Sequence, residues 1–186
     1  MVGKESFVGG SSNKVAAESV TVLGARNNLF SSLELNESDQ PVSGSPNKAS
    51  AVIGSSNTVC AVHSSIIGGN NQVSSPEGRT IQHATIHGNR NTVRADNASI
   101  IGNQNQALAL TSTLVGYGLT TTDWGQTVIG MFNEVKKKDR IAFAVGTSDN
   151  VRKTALAIQS DGQIVANESY EPALPRSLTT KVFVES

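Results

Sequence analysis

The side chains best suited to catalysis in this sequence are its carboxylates. A site that hydrolyses a glycan needs two carboxyl groups about 5–10 Å apart on an exposed face. Asp96, Asp123 and Glu134 fall near predicted turns, at different positions of the sequence repeat described below. A denser acidic group occupies one inserted loop, as Glu34, Glu37 and Asp39. The sequence therefore predicts no catalytic residues and no enzyme, and a polysaccharide-degrading enzyme stays as an alternative.

The histidines and the single cysteine are the other candidates for site chemistry. His87 directly precedes Gly88, at a repeated position where other units carry Leu, Ile or Val. If that position faced a rotation axis between copies, a ring of His87 side chains could bind an anion or a metal. A lone polar residue in such a column is more often satisfied by hydrogen bonds or water, and Cys60 belongs to no zinc-type spacing. We therefore predict no metal and no cofactor, and keep the axial ring of His87 as an alternative.

Composition narrows the classes of partner. The chain of 186 residues has 15 Lys and Arg against 15 Asp and Glu, and its basic run at residues 136–140 contains no aromatic residue. This balance predicts no nucleic-acid partner. No stretch approaches the roughly eighteen apolar residues of a membrane span, so we expect no membrane insertion. Aromatic residues make up only 4% of the chain, which predicts an interior of Val, Ile and Ala in a narrow, layered space.

A short repeat contains most of these positions. The repeat is as long as the interval from Gly54 to Gly68. The same interval separates Gly88 from Gly102, Gly102 from Gly116, and Gly116 from Gly130. Each unit has two apolar residues, then Gly, and Asn three positions after the Gly. Because Gly and Asn accept positive φ, each unit is predicted to be a strand, a Gly/Asn turn and a second short strand. The main repeat positions are Gly24, Gly54, Gly68, Gly88, Gly102, Gly116 and Gly130, with Asn57, Asn71, Asn91, Asn105 and Asn133; Gly44 and, loosely, Gly146 also align.

Such units cannot bury an apolar face alone, but stacked coils can. Coils spaced by roughly 4.8 Å pair their backbones and bury a continuous stripe. Equivalent asparagines would then form a ladder of amide hydrogen bonds. The repeat therefore predicts an all-β parallel solenoid of about nine coils, on the order of 40–45 Å long.

The paired apolar residues before each Gly predict a second buried surface. Neighbouring side chains on a strand point to opposite faces, so one of each pair fills the interior and the other lies outside. An exposed apolar stripe along a rod implies a partner, and the simplest partner is another copy of the chain. The predicted core and interface columns consist of Val22, Leu23, Val52, Ile53, Ile66, Ile67, Ile86, Ile100, Ile101, Leu114, Val115, Val128 and Ile129.

The unit "xxIGxxNxV" resembles the head repeat of the trimeric autotransporter adhesins, over residues 6–135. Such repeats also occur in fibres and appendages of tailed bacteriophages. The segment at residues 141–166 is similar to the one that follows these repeats in phage fibre proteins. A signal peptide, coiled-coil stalk and membrane anchor, which the adhesins need, are not expected here, and this favours the phage proteins.

The resemblance implies a homotrimer of left-handed β-rolls in a virion assembled in a host cytoplasm. The chain would be a non-enzymatic tail fibre that contacts other virion proteins, with a host surface glycan or protein as a candidate further partner. A head fibre or capsid decoration protein without a receptor role is the first alternative, and a polysaccharide-degrading tailspike is the second. We expect a first coil or attachment segment at residues 1–18, the solenoid at 19–135, a hairpin-like segment at 136–169 and an extended tail at 170–186.

Two insertions, near residues 30–42 and 74–83, should project from the rod. Loops on a rigid scaffold often carry binding specificity, although these could equally cap or buttress neighbouring subunits. Trp124 could stack on a sugar, or could pack with Tyr117 and Phe132 where the architecture changes. The candidate receptor contacts are Glu34, Glu37, Asp39, Glu77, Arg79 and Trp124.

Overall fold

The computed structural model describes residues 6–30, 50–76 and 80–166, with the backbone of short strands at 34–35, 41–42 and 47–48. These residues form a parallel β-solenoid of about eight turns, followed by a short antiparallel segment. The all-β solenoid predicted from the repeat is confirmed in this form, with about one turn fewer than expected. No helix among the described residues is long and apolar enough to cross a membrane.

The strands are short, because each coil must fit two of them within one repeat. In chain order they are β1 (Phe7–Ser11), β2 (Lys14–Glu18), β3 (Thr21–Ala25), β4 (Asn28–Phe30), β5 (Glu34–Leu35), β6 (Pro41–Val42), β7 (Asn47–Lys48), β8 (Ala51–Ser55), β9 (Thr58–Val59), β10 (Ala61–Val62), β11 (Ser65–Gly69), β12 (Gln72–Val73), β13 (Ile81–Gln82), β14 (Thr85–His87), β15 (Thr92–Val93), β16 (Ser99–Asn103), β17 (Gln106–Ala107), β18 (Thr113–Tyr117), β19 (Thr120–Thr121), β20 (Thr127–Met131), β21 (Asp139–Val145), β22 (Thr154–Gln159) and β23 (Ile164–Ala166).

Two sheets form the walls of the solenoid. The larger has the order β1-β3-β8-β11-β14-β16-β18-β20-β21-β22-β23, and the smaller has the order β19-β17-β15-β12-β9-β4-β2-β7. From β1 to β19, each turn of the chain supplies one strand to each sheet, so equivalent residues of successive turns lie opposite one another. Ile66 on β11, for example, pairs with Val52 on one side and Ile86 on the other.

The core lies between the two sheets and is one side chain deep on each. The first residue of every apolar pair is almost completely buried, and the short strands of the smaller sheet supply a facing row of Leu, Val and Ala. The narrow, layered interior expected from the low aromatic content is therefore present. Its fully buried members include Val22, Val52, Ile66, Ile86, Ile100 and Leu114 from the larger sheet, and Leu29, Val59, Val73, Val93 and Ala107 from the smaller.

The repeated glycine lies inside a strand in every described turn except that of Gly88, which directly follows β14, so its predicted place in a turn is wrong. Gly54 is the fourth residue of β8, with φ of 137°, and a Cβ there would lie 1.8 Å from the carbonyl oxygen of Gly68 in the next turn. The position therefore requires glycine for both its φ and its close backbone approach. The turn itself falls two residues later, as at Ser56 with φ of 57°, and the following Asn57 has no positive φ.

The strand pairing also corrects the alignment of one glycine. β3 pairs directly with β8, bringing Gly24 opposite Gly54, while Gly44 lies outside the described residues. Opposite Gly130 stands Ala144, one repeat length later, and not Gly146. The direct pairing of β3 with β8 goes with about eight turns in place of the predicted nine, whereas the shift from Gly146 to Ala144 leaves the number of turns unchanged.

The C-terminal segment continues the larger sheet. β21 pairs in parallel with β20, placing Phe143 opposite Ile129, and β22 and β23 then add in antiparallel order. The segment expected to be hairpin-like is thus joined to the solenoid by one further parallel strand. The extended tail predicted at residues 170–186 lies outside the described residues, as do residues 167–169 of the predicted hairpin-like segment.

Candidate interaction surfaces

The second residue of each apolar pair forms a column on the outer face of the larger sheet. We call it the outer column. The Leu, Ile and Phe members are 38–54% exposed, with Ile101 the most exposed. Strand pairing places each member beside its equivalents in the neighbouring turns. The column consists of Leu23, Ile53, Ile67, His87, Ile101, Val115, Ile129 and Phe143.

The outer column widens at its C-terminal end. In the strands from β3 to β20, the residue two positions before the outer-column residue is Ser, Thr or Ala. On β21 this residue is Ile141. On the other side, Met131 and Val145 follow mainly small or polar residues and then Tyr117 in the earlier turns. Ile141, Met131 and Val145 are all exposed. The exposed apolar surface therefore changes from a narrow ridge to a patch.

His87 lies within the outer column, between Ile67 and Ile101, and its side chain is exposed. Among the described residues no group of three or more His, Cys, Asp and Glu could hold a metal within this chain. The other two histidines form a pair that sequence reasoning missed. The rings of His63 and His83 stack with centroids 5.4 Å apart, because β10 and β13 are neighbours despite the insertion that separates them in sequence.

The recurring geometry of each turn depends on a buried asparagine ladder that runs from Asn13 to Asn105. Asn71 is typical: its Nδ2 donates to Asn57 Oδ1 at 3.0 Å and to the Gly88 carbonyl at 2.8 Å. Its Oδ1 accepts from the backbone N–H and the Nδ2 of Asn91, at 3.0 and 3.1 Å. One side chain thereby connects three turns.

Asn133 differs from the other asparagines of the repeat. Its Oδ1 accepts from the backbone N–H of Thr120 at 2.8 Å, and its Nδ2 donates to the carbonyl of the same residue at 2.9 Å. The side chain therefore bonds β19, the last strand of the smaller sheet, as a neighbouring strand would. Leu119 takes the ladder position in the preceding turn, where its N–H donates to Asn105.

Most of the predicted receptor contacts lie outside the described residues. This holds for Glu37, Asp39, Glu77 and Arg79, and of Glu34 only the backbone in β5 is described. The candidate receptor contact with a described side chain is Trp124, which is 61% exposed.

Trp124 stands apart from the other aromatic residues of its region. Tyr117 and Phe132 pack edge to face at 5.3 Å, whereas the indole lies under Arg140, whose guanidinium carbon is 5.7 Å from the ring centroid. The alternative in which all three aromatic residues pack together is therefore wrong.

A groove with a volume of about 520 Å³ lies beside Trp124. We call it the Trp124 groove. It is bordered by equivalent segments of four successive turns, which begin after β12, β15, β17 and β19. Its lining combines apolar and charged side chains, among them Pro76, Arg94, Leu110, Asp123 and Trp124.

A dense hydrogen-bond network fixes the backbone that carries Trp124. Asp123 Oδ1 accepts from the Trp124 N–H at 2.9 Å, and Gln126 Oε1 accepts from the N–H groups of Thr122 and Asp123 at 2.9 and 3.0 Å. The guanidinium of Arg140 donates to Asp123 Oδ2 and to the Trp124 carbonyl. The indole is thus presented to solvent from a rigid turn.

A second cavity, of about 330 Å³, lies at the C-terminal end of the solenoid. Asp139 lines it and is buried, with Oδ2 accepting no hydrogen bond from the described residues. Burial raises the pKa of the Asp139 carboxyl, and the nearby Glu134 adds to the rise, while Gln159 and Lys136 oppose it. Asp139 was not among the candidates from sequence, because it sits in the basic run at residues 136–140.

Comparisons with protein-family models, curated proteins and solved structures give no match for this chain. The function must therefore be inferred from the geometry. That geometry offers two surfaces suited to contact with other molecules, the outer column and the Trp124 groove. They are built from different segments of each turn, so one can be covered while the other stays accessible.

Proposed function

We propose that the chain is a non-enzymatic fibre or appendage protein of a bacteriophage virion and acts in adsorption to the host surface. In this proposal three copies, each a left-handed β-roll, pack with their outer columns around a common axis. The observation that carries the proposal is the outer column itself. The resemblance of the repeats to those of phage fibres and adhesin heads supports the choice of a virion and of a trimer.

The outer column is too continuous to be an ordinary feature of a monomer surface. Scattered exposed apolar residues are common, but a contiguous row over successive turns is typical of a contact surface. Burying the exposed remainder of each Leu or Ile contributes about 1 kcal/mol. Several such residues per chain, together with the wider patch around Phe143, favour a stable association of copies through this face.

The solenoid suits the role of a rigid element in an appendage. Its turns are joined by backbone pairing in two sheets and by the asparagine ladder, so bending would break many hydrogen bonds at once. Weak contacts to a host surface would be multiplied when several trimers act on one particle.

Light scattering coupled to gel filtration tests the association of copies. We expect a mass three times the 19.4 kDa of one chain. Ile101→Glu places a charge in the outer column and should give monomers. Leu110→Glu, at a similarly exposed apolar residue of the Trp124 groove, should leave the mass unchanged. A monomeric parent chain would refute the proposal.

Adsorption is tested separately with the purified trimer. We expect it to bind host cells and to reduce phage attachment in competition. Binding to fibreless capsids without binding to cells would instead identify a head fibre or decoration protein and would overturn the adsorption role.

A further inference from the structure

We propose that the Trp124 groove is a saccharide-binding site, with the indole as the stacking platform and Asp123 and Arg94 as hydrogen-bonding partners. The inference rests on the proposed role in adsorption, and it names both the class of ligand and the place where that ligand binds. Three observations support it: the presentation of the indole, the course of the groove and the chemistry of its lining.

The indole is exposed although its backbone is rigid. Trp124 leaves 61% of its surface in water, while Asp123, Gln126 and Arg140 fix the turn that carries it. A large aromatic side chain held in this way loses little conformational freedom when a ligand stacks on it, so more of the contact energy appears as affinity. Arg140 provides additional support for the indole.

The groove runs along the solenoid and suits a chain-like ligand. Its four bordering segments follow one another in hydrogen-bonded turns, as shown by the bonds from Arg94 N–H to the Ala107 carbonyl and from Leu108 N–H to the Thr121 carbonyl. Three intervals of about 4.8 Å give a length on the order of 14 Å. An extended oligosaccharide can contact several turns at once within that length.

The lining matches the two kinds of surface on a sugar. Trp124 and Leu110 are exposed apolar side chains that can cover the C–H face of a pyranose ring. Asp123 accepts one hydrogen bond at each carboxylate oxygen from its own chain, which leaves further lone pairs for sugar hydroxyl groups. Arg94 is exposed and can donate. A few polar groups beside an apolar platform are typical of sites for small polar ligands.

Trp124 is the only tryptophan of the chain, so its fluorescence reports on the groove directly. We would titrate the full chain with soluble hexasaccharides of glucose, N-acetylglucosamine and rhamnose, following indole emission and the heat of binding. We expect a saturable shift of the emission to shorter wavelength, with saturable heat, for at least one of them. If none of the three produces either signal, the inference is wrong.

Substitutions then locate the binding. Trp124→Ala should weaken the heat-detected affinity at least about ten-fold, and Trp124→Phe should restore part of it. Val151→Ala removes apolar surface from a similarly exposed residue outside the groove and should leave binding unchanged. Equal affinity of Trp124→Ala and the parent chain would place the ligand elsewhere and overturn the inference.

The two proposals fail in different ways. If Trp124 already emits as a buried indole in a trimer without saccharide, a neighbouring copy covers the groove. That result contradicts this inference alone. A monomer that still binds a hexasaccharide through Trp124 would contradict the proposed assembly and leave the groove assignment standing.

Discussion

Replacing Gly68 with Ala tests whether the close approach of successive turns limits the fold. Gly68 has φ of 129°, and a Cβ there would lie 1.9 Å from the carbonyl oxygen of Gly88. Reaching even 3.0 Å requires a separation of the turns by about 1.1 Å. Such a shift would lengthen the bonds from Gly88 N–H to the Ile67 carbonyl and from Asn71 Nδ2 to the Gly88 carbonyl, now 2.9 and 2.8 Å.

The expected loss of stability is the sum of the backbone strain and the weakening of these two hydrogen bonds. Backbone strain for a non-glycine residue at this φ costs about 1–3 kcal/mol, and weakening two hydrogen bonds costs about 0.5–1.5 kcal/mol each. We therefore expect Gly68→Ala to lower the free energy of unfolding by about 2–6 kcal/mol. Urea unfolding followed by circular dichroism, at one protein concentration for all variants, measures the change.

Two other glycines separate the contributions. Gly69→Ala is the matched control, because Gly69 is adjacent to Gly68 but has no positive φ. A Cβ on Gly69 would lie 3.2 Å from the carbonyl oxygen of Ser55, a tight contact that a shift of a few tenths of an ångström relieves. Its free energy of unfolding should stay within about 1 kcal/mol of the parent, helped by the lower entropy of the unfolded chain. Gly125→Ala adds strain at φ of 68° with no atom within 4 Å, and should cost about 1–2 kcal/mol. If Gly68→Ala costs no more than Gly125→Ala, the close approach of turns is not limiting and the reasoning fails.

Three further predictions concern the ladder, the buried carboxyl and the thiol. Asn91→Ala removes three buried side-chain hydrogen bonds and should lower the free energy of unfolding by about 1.5–4.5 kcal/mol, whereas Asn103→Ala, which removes bonds to an exposed Asn89, should cost less than about 1 kcal/mol. Because the pKa of Asp139 is raised, the folded chain binds a proton at this carboxyl more tightly than the unfolded chain does. The free energy of unfolding should therefore rise as pH falls from neutral through the folded pKa, and level off below the ordinary value of 3.8. Asp139→Asn should raise the thermal midpoint at neutral pH and reduce that rise on acidification; an unchanged pH profile would exclude Asp139 as its source. Burial raises the pKa of the Cys60 thiol, so its reaction with a thiol reagent should follow unfolding, and rapid modification of the folded chain would contradict this.

The solenoid could be predicted because its repeat appears in the residues themselves. Alternation along a strand predicts that Ile66 and Ile67 face opposite sides, and the structure confirms it, with Ile66 in the interior and Ile67 on the outer face. Which of the two lies inside could not be predicted from alternation alone. Asparagine at a fixed distance from glycine predicts a ladder because identical amides bond when stacked. Both features depend on short-range geometry, which a linear sequence records.

Other features depend on which turns become neighbours, and insertions obscure that. The pairing of Gly24 with Gly54 spans more than two repeat lengths, and the intervening "GSPN" has the residue types of a repeat unit although it lies mostly outside the described residues. The stack of His63 on His83 was missed for the same reason. Burial of Asp139 could not be read from its basic surroundings, because it follows from where β21 joins the solenoid.

The bonds of Asn133 to Thr120 determine where this architecture can stop. A parallel strand at the end of a stack leaves unpaired N–H and C=O groups, which are a template for any further strand, including one from another molecule. At β19 a side-chain amide occupies both backbone groups of Thr120. The repeat therefore contains its own terminator, made by moving one of its asparagines out of the ladder. At this edge of the smaller sheet, the Asn133 amide occupies the position that a strand from another molecule would need in order to pair with β19.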